Sequence, residues 1–202
     1  MAIRVRSKEE ERGLRVERIR AFIAIDIDDP TLISKMVNVQ ESLSELGARI
    51  KFVEPENIHI TLKFLGEISS VLVERVKDIL NQLTFEPFTI KIEGLGVFPN
   101  ISRPRVIWLG VSEGASKVIE IQKFLEAKLI KLGFRKEREQ FIPHITIGRV
   151  KGGNYERLRK KIVELKDVLI GNFLVNSVRL KRSTLTSRGP IYTTLLEVHA
   201  SS

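Results

Sequence analysis

The chain contains no cysteine. That excludes disulfides, thiolate nucleophiles and cysteine-ligated zinc together. Histidine is scarce too, at three residues (His59, His144 and His199), which makes a histidine-rich metal cage hard to build. No apolar run approaches the ~18 residues that would span a bilayer. The first dozen residues, from Met1 to Arg12, lack the apolar stretch of a secretory signal, so a cytoplasmic location and no membrane partner are expected. Neither a P-loop nor a GxGxxG dinucleotide fingerprint is present, which sets both nucleotide-binding readings aside. Any chemistry falls to histidine, carboxylate, hydroxyl, lysine or arginine.

Positive charge is in surplus, with 34 Lys and Arg against 25 Asp and Glu for a formal net charge of +9. Such a surplus draws polyanions and speeds their arrival, although charge alone does not name a partner. The length of 202 residues suits one domain or two small lobes.

Residues 1–18 are mostly charged without a sustained period and read as a solvated tail, with the folded domain over 19–202. Alternation predicts a first strand over Ile19–Ile27, then a helix that starts at Asp28-Asp29-Pro30 and runs towards Gly47. Further strands are expected over Ile50–Val53, Ile58–Leu65, Phe88–Val97, Arg105–Val111 and His144–Val150. Helices are expected over Ser69–Leu83 and Ala115–Leu132, the latter closing at Gly133. A basic helix should follow from Tyr155 to Leu169. Phe173–Leu185 and Tyr192–His199 then read as two last strands around a turn at Ser187–Pro190.

One feature stands above the rest. His59-Ile60-Thr61-Leu62 recurs, nearly unchanged, as His144-Ile145-Thr146-Ile147. On a strand, residues i and i+2 share a face, so each segment presents an imidazole and a hydroxyl opposite an aliphatic anchor. Two such strands facing across a cleft would place two imidazoles and two hydroxyls around one small anion. Phosphodiester cleavage uses that set: a neutral histidine as base, a protonated one as acid, and hydroxyls for the charge growing on oxygen. An ordinary imidazole pKa near ~6.5 lets both forms coexist around neutral pH. A lone strand histidine is more often structural; two in matching frames shift that balance. His199 has no such frame and is taken as incidental.

The motifs resemble the 2H phosphoesterase superfamily, and within it the RNA 2',3'-cyclic phosphodiesterase family, also called the 2'-5' RNA ligase or LigT-like family. The likeness extends over residues 19–198 and includes Arg20–Ile25, Glu56–Glu67, Phe98-Pro99 with Arg103–Gly110, Pro143–Arg149, and Ser183–Leu185 with Gly189–Tyr192. It implies an α+β, bilobal, pseudo-two-fold fold in which two antiparallel sheets line a central cleft with helices outside. It implies hydrolysis of RNA 2',3'-cyclic phosphate ends to 2'-phosphates, with 2'-5' ligation as a related activity. His59 would be the proton donor and His144 the proton acceptor, assisted by Thr61 and Thr146, with no cofactor and no metal. The implied partner is RNA with a cyclic phosphate terminus, tRNA halves among the candidates, and the chain is expected to be a monomer.

Substrate contacts are expected from three further residues. Lys63 follows the parity of His59 and Thr61. Arg149 falls on the Ile145 face by strict alternation, but a bulge near Gly148 would turn it into the cleft. Tyr192 could stack a base, as could Phe52, for which core packing is the stronger reading. Trp108 reads as core, and the basic helix with Arg157, Arg159, Lys160 and Lys161 as a solvated face. Two other classes stay open. One is a non-catalytic module that grips RNA ends. The other has His59 and His144 as metal ligands, a reading that lacks a third ligand in the motifs.

Overall fold

The computed structural model describes residues 17–187 and 189–201, so most of the tail expected over 1–18 lies outside the described residues. Strands β1 (Arg18–Asp26), β2 (Ala48–Phe52) and β3 (His59–Ser69) come first, with helix α1 (Pro30–Ser42) between β1 and β2 and a 3-10 turn (Pro55–Asn57) before β3. Helix α2 (Ser70–Leu80), β4 (Phe88–Phe98), β5 (Val106–Val111), α3 (Ala115–Lys131) and β6 (His144–Gly153) follow. The chain ends with α4 (Glu156–Glu164), β7 (Leu169–Val175), β8 (Ser177–Leu185) and β9 (Pro190–His199).

The strands form two antiparallel halves, ordered β3-β1-β8-β9 and β7-β4-β5-β6, with β2 laid along β6. The two sheets expected are halves of one curled sheet, joined where Ile60 of β3 pairs with Ile145 of β6. One face carries the core: Ile23, Ile25, Ile60, Leu62, Ile107, Leu109, Ile145 and Ile147 are all buried. Helices cover that face, α2 and α3 against β3 and α1 against β6 and β7. The opposite face is the concave one.

Local chemistry sets the boundaries. Asp29 caps α1, its carboxylate accepting from the N–H groups of Thr31 and Leu32 at 2.8 and 3.0 Å, with Pro30 in the first turn. The helix ends at Ser42 rather than near Gly47, because Glu45 and Gly47 take positive φ values of 58° and 83° that no α-helix accommodates. The basic helix likewise stops at Glu164, and Leu169 already belongs to β7.

The single strand expected over Phe173–Leu185 is two. β7 pairs with β4 and β8 with β1 and β9, so the chain crosses between halves at Asn176. Each strand buries its own apolar face, which is why the alternation ran through the break unmarked by glycine or proline. No helix among the described residues is long and apolar enough to cross a membrane.

Candidate active site

The two His-x-Thr segments open β3 and β6, and the Ile60–Ile145 pair is where those strands meet. Both isoleucines are fully buried, at 0% exposure, on the helix side. Strand parity therefore turns His59, Thr61, His144 and Thr146 to the concave face together. Because the pairing is antiparallel, His59 lies towards Thr146 and Thr61 towards His144, and the two imidazoles take a diagonal. Diagonal Cβ atoms of such a ladder are about 7–8 Å apart, a span that one phosphate group can bridge.

Backbone carbonyls orient both rings in the same way. His59 Nδ1 lies 2.6 Å from the Asn57 carbonyl oxygen, and His144 Nδ1 lies 2.7 Å from that of Ile142. A carbonyl only accepts, so each Nδ1 carries a proton and Nε2 is the nitrogen left to exchange one. On His59 that atom also contacts Thr61 Oγ1 at 2.9 Å. Asn57 is itself buried and donates through Nδ2 to the Pro190 carbonyl at 3.2 Å, tying the entrance of β3 to that of β9.

Electrostatics differ between the two. Burial holds both imidazoles below their ordinary pKa. For His59 the hydrogen bond to Asn57 and the carboxylate of Asp26, its partner in register, pull the other way, while Lys181 and Arg149 add to the lowering. For His144 the Ile142 carbonyl opposes the shift and Arg149 adds to it, with no carboxylate contributing. Asp26 is held by Lys181 and by Arg179, whose Nη1 lies 2.9 Å from Asp26 Oδ2.

Each imidazole is walled by two aromatic rings. Phe22 and Tyr192 flank His59, with centroids at 5.1 and 5.5 Å. Phe98 and Trp108 flank His144, at 5.1 and 6.0 Å. Trp108 is therefore part of the cleft, not of the core as expected. Its indole lies over Gly96 of β4, where an added Cβ would come within 2.2 Å of the ring; a glycine inside a strand opposite a tryptophan was the available signal. Phe52 packs half-buried against the core and beside Gly148.

The remaining candidates separate because of two bulges. Between Thr61 and Lys63 the register against β1 slips by one residue, and between Thr146 and Gly148 the register against β5 does the same. Each slip swaps the faces of the residues beyond it. Lys63 consequently leaves the histidine face, correcting its expected parity. It is 4% exposed, with Nζ at 2.9 Å from both Glu126 Oε2 and the Arg135 carbonyl and 2.8 Å from Glu137 Oε1. Phe64, which strict alternation puts on the aliphatic face with Ile60 and Leu62, emerges on the concave face 62% exposed and against Phe22. Arg149 arrives on the concave face in the other half, close enough to add to the lowering that burial causes at His59 and His144 and to oppose the rise that burial causes at Tyr192.

Sequence reasoning also missed Gln40. It sits 6% exposed on the buried stripe of α1, donating through Nε2 to the carbonyls of Val53 (2.8 Å) and Ile147 (2.9 Å), the latter in the bulge that turns Arg149. A glutamine one turn beyond Met36 on an apolar stripe was the signal. His199 ends β9 opposite Ser177, away from the cleft. Of the basic helix, Lys160 and Lys161 pair with Glu156 and Glu164, and Arg159 donates to the Ser102 carbonyl. No group of three or more His, Asp or Glu among the described residues is placed to hold a metal ion.

The family model described as LigT like Phosphoesterase matches twice, over residues 27–108 and 109–192, one match for each histidine motif. The chain belongs to the LigT-like phosphoesterase family. Curated LigT-like relatives include the RNA 2',3'-cyclic phosphodiesterase of Methanothermobacter thermautotrophicus, 44% identical over 87% of this chain and 96% of that protein. That of Aquifex aeolicus is 39% identical over 90% and 97%. Among solved structures, TT0787 of Thermus thermophilus superposes with a TM-score of 0.77 at 26% identity, covering 90% of this chain and 97% of that one. The LigT-like fold is shared by Escherichia coli LigT complexed with 3'-AMP, with a TM-score of 0.74 at 21% identity over 92% and 100%.

Proposed function

We propose that this phosphoesterase opens RNA 2',3'-cyclic phosphate ends with water to leave 2'-phosphates, His59 acting as acid and His144 as base. The observation that carries the reading is the placement of both motif histidines on one face, either side of the Ile60–Ile145 pair, with their Nδ1 atoms tied back to carbonyls and Nε2 turned to the cleft side for proton exchange, that of His59 against Thr61 Oγ1. Relatives over 40% identical across most of the chain are RNA 2',3'-cyclic phosphodiesterases.

In this scheme His144 Nε2 takes a proton from water as its oxygen attacks phosphorus. The bond from phosphorus to O3' breaks, and His59 Nε2 gives its proton to that oxygen. Burial lowers the pKa of both rings and Asp26 opposes it only at His59, so the roles of acid and base are assigned here by the family resemblance. Thr61, Thr146 and Arg149 donate to the non-bridging oxygens as charge grows there. Tyr192 holds the His59 ring and borders the base. An RNA 5'-hydroxyl in place of water gives a 2'-5' linkage by the same proton transfers. Every group in the scheme is a side chain of this protein, so activity should persist in chelator.

The test is product analysis on an oligonucleotide ending in a 2',3'-cyclic phosphate. A 2'-phosphate is expected, with His59→Ala and His144→Ala each slower by ~10²–10⁴-fold and the double variant less than additive. A 3'-phosphate product overturns the assignment of leaving oxygen, and tight binding without turnover overturns the enzyme.

A further inference from the structure

Beyond Arg149 the concave face continues as a strip of positive charge. In the pairing of β2 with β6, Lys51 stands opposite Arg149 and Arg49 opposite Gly152, with Lys151 in the slip between them. Cross-strand partners share a face, so Lys51 lies on the Arg149 side; Arg49, two residues earlier on β2, follows it. The guanidinium of Arg49 lies over Gly152, 3.1 Å from where a Cβ would stand, and the ammonium of Lys51 reaches the β8–β9 turn at Gly189. Ile50 and Phe52 take the other face, against Gly148. All four cations are exposed.

Among the described residues none of the four has an acidic partner. Other described cations also lack one, Arg75 and Lys123 among them, so what marks these four is that they lie together on one strip. Lysine on an edge strand can serve only to deter pairing, which would account for Arg49 and Lys51 on β2. It does not account for Arg149, where β6 is paired on both sides, with Val106 of β5 and Lys51 of β2. Arg49, Lys51 and Lys151 also border an open groove of ≈ 480 Å³ that wraps the edge of β2, its far wall made by Ser44, Glu45, Ile50 and Phe52.

We propose that Arg49, Lys51 and Lys151 form a track for the RNA backbone leading away from the scissile end, with Arg149 at its head, so that the substrate is a polynucleotide and not a mononucleotide. The proposal rests on the catalytic reading for its origin: a cyclic phosphate held between His59 and His144 is the 3' terminus, and the strip begins beside it at Arg149 and leads away from it. Same-face cations two residues apart on a strand recur every ~6.8 Å, a reach comparable to one nucleotide of an extended strand. The ligand is the sugar–phosphate backbone, so sequence preference is not expected along the strip.

The test compares a 2',3'-cyclic mononucleotide with an oligonucleotide ending in the same group, using the full chain, and follows both against salt. Wild type should prefer the oligonucleotide. Arg49→Gln/Lys51→Gln/Lys151→Gln should keep kcat/KM for the mononucleotide within about twofold, lose ~10-fold or more on the oligonucleotide, and reduce the salt slope by about 2. The charge-conserving variant Arg49→Lys/Lys51→Arg/Lys151→Arg should behave as wild type. Equal losses on both substrates, or no oligonucleotide preference in wild type, overturn the track. If neither substrate is turned over, the catalytic reading has failed alone. Binding of an oligonucleotide ending in a 2'-phosphate then decides: a weaker, less salt-sensitive complex with the glutamine variant supports the track, and unchanged binding overturns it.

Discussion

Phe64 and Arg149 occupy matching places in the two halves. Each lies the same number of residues beyond its histidine, and each reaches the concave face because one residue of its strand is bulged out. The repeated backbone thus delivers a phenyl ring to one side of the cleft and a guanidinium to the other. The pseudo-symmetry of the motifs stops there, and two predictions come from that difference.

Arg149 lowers the pKa of both imidazoles. In wild type the base must be neutral and the acid protonated, and burial with Arg149 holds both groups below the ordinary value of ~6.5. The kcat/KM profile of the free enzyme should therefore be bell-shaped with its maximum on the acid side of that value. Arg149→Gln removes a cation, so both limbs should move to higher pH while kcat/KM falls by ~10–10²-fold. A profile that stays in place in the variant would put Arg149 outside the field of both rings.

Phe64 offers an exposed ring to a nucleobase. Base–aromatic stacking contributes ~1–3 kcal/mol, so Phe64→Ala should raise KM by roughly 5–150-fold with kcat nearly unchanged, and Phe64→Trp should keep it near the wild-type value. Equal KM values for Phe64→Ala and wild type would remove the stacking role.

Lys63 is a strut between β3 and α3. Lys63→Met should leave kcat/KM of the folded enzyme intact while lowering stability by on the order of 3 kcal/mol, since Glu126 loses its buried partner. The share from Glu137, 56% exposed, is screened. Denaturant unfolding beside kinetics at 25 °C checks both halves. A large kinetic defect without a stability defect would return Lys63 to the substrate.

Gln40 positions the Arg149 bulge. Gln40→Leu strips the Val53 carbonyl of a donor, while the Ile147 carbonyl keeps the Val53 N–H at 3.0 Å. A loss of ~1–3 kcal/mol is expected. KM should rise with kcat largely preserved, and a double variant with Arg149→Gln should add little to the KM of Arg149→Gln alone. Full additivity would make Gln40 a purely structural residue.

The histidine strands were legible because the rule that reads them is local. His59, Ile60 and Thr61 lie before the first bulge, and His144, Ile145 and Thr146 before the second, so simple alternation holds for all six. Beyond each bulge it fails. Gly148 hinted at the second, and Arg149 was reached that way; Leu62-Lys63 carries no such mark, so Lys63 and Phe64 were assigned to each other's faces. Of the aromatic walls only Tyr192 is singled out by the sequence, for a base and not for His59; the walls as such are illegible for a different reason. Phe22 and Tyr192 meet His59 from β1 and β9, at opposite ends of the chain, and nothing in the neighbourhood of either residue announces a long-range contact. Asp26 is a similar case, aligned with His59 only by strand register.

Because β3 and β6 touch at a single residue pair, the separation of the two imidazoles is not fixed by a long ladder but by the angle at which the halves meet. Ile60 and Ile145 are the joint of the two halves, and each imidazole stands one residue from it. The seating of these two isoleucines in the core therefore sets the gap that a phosphate has to fill.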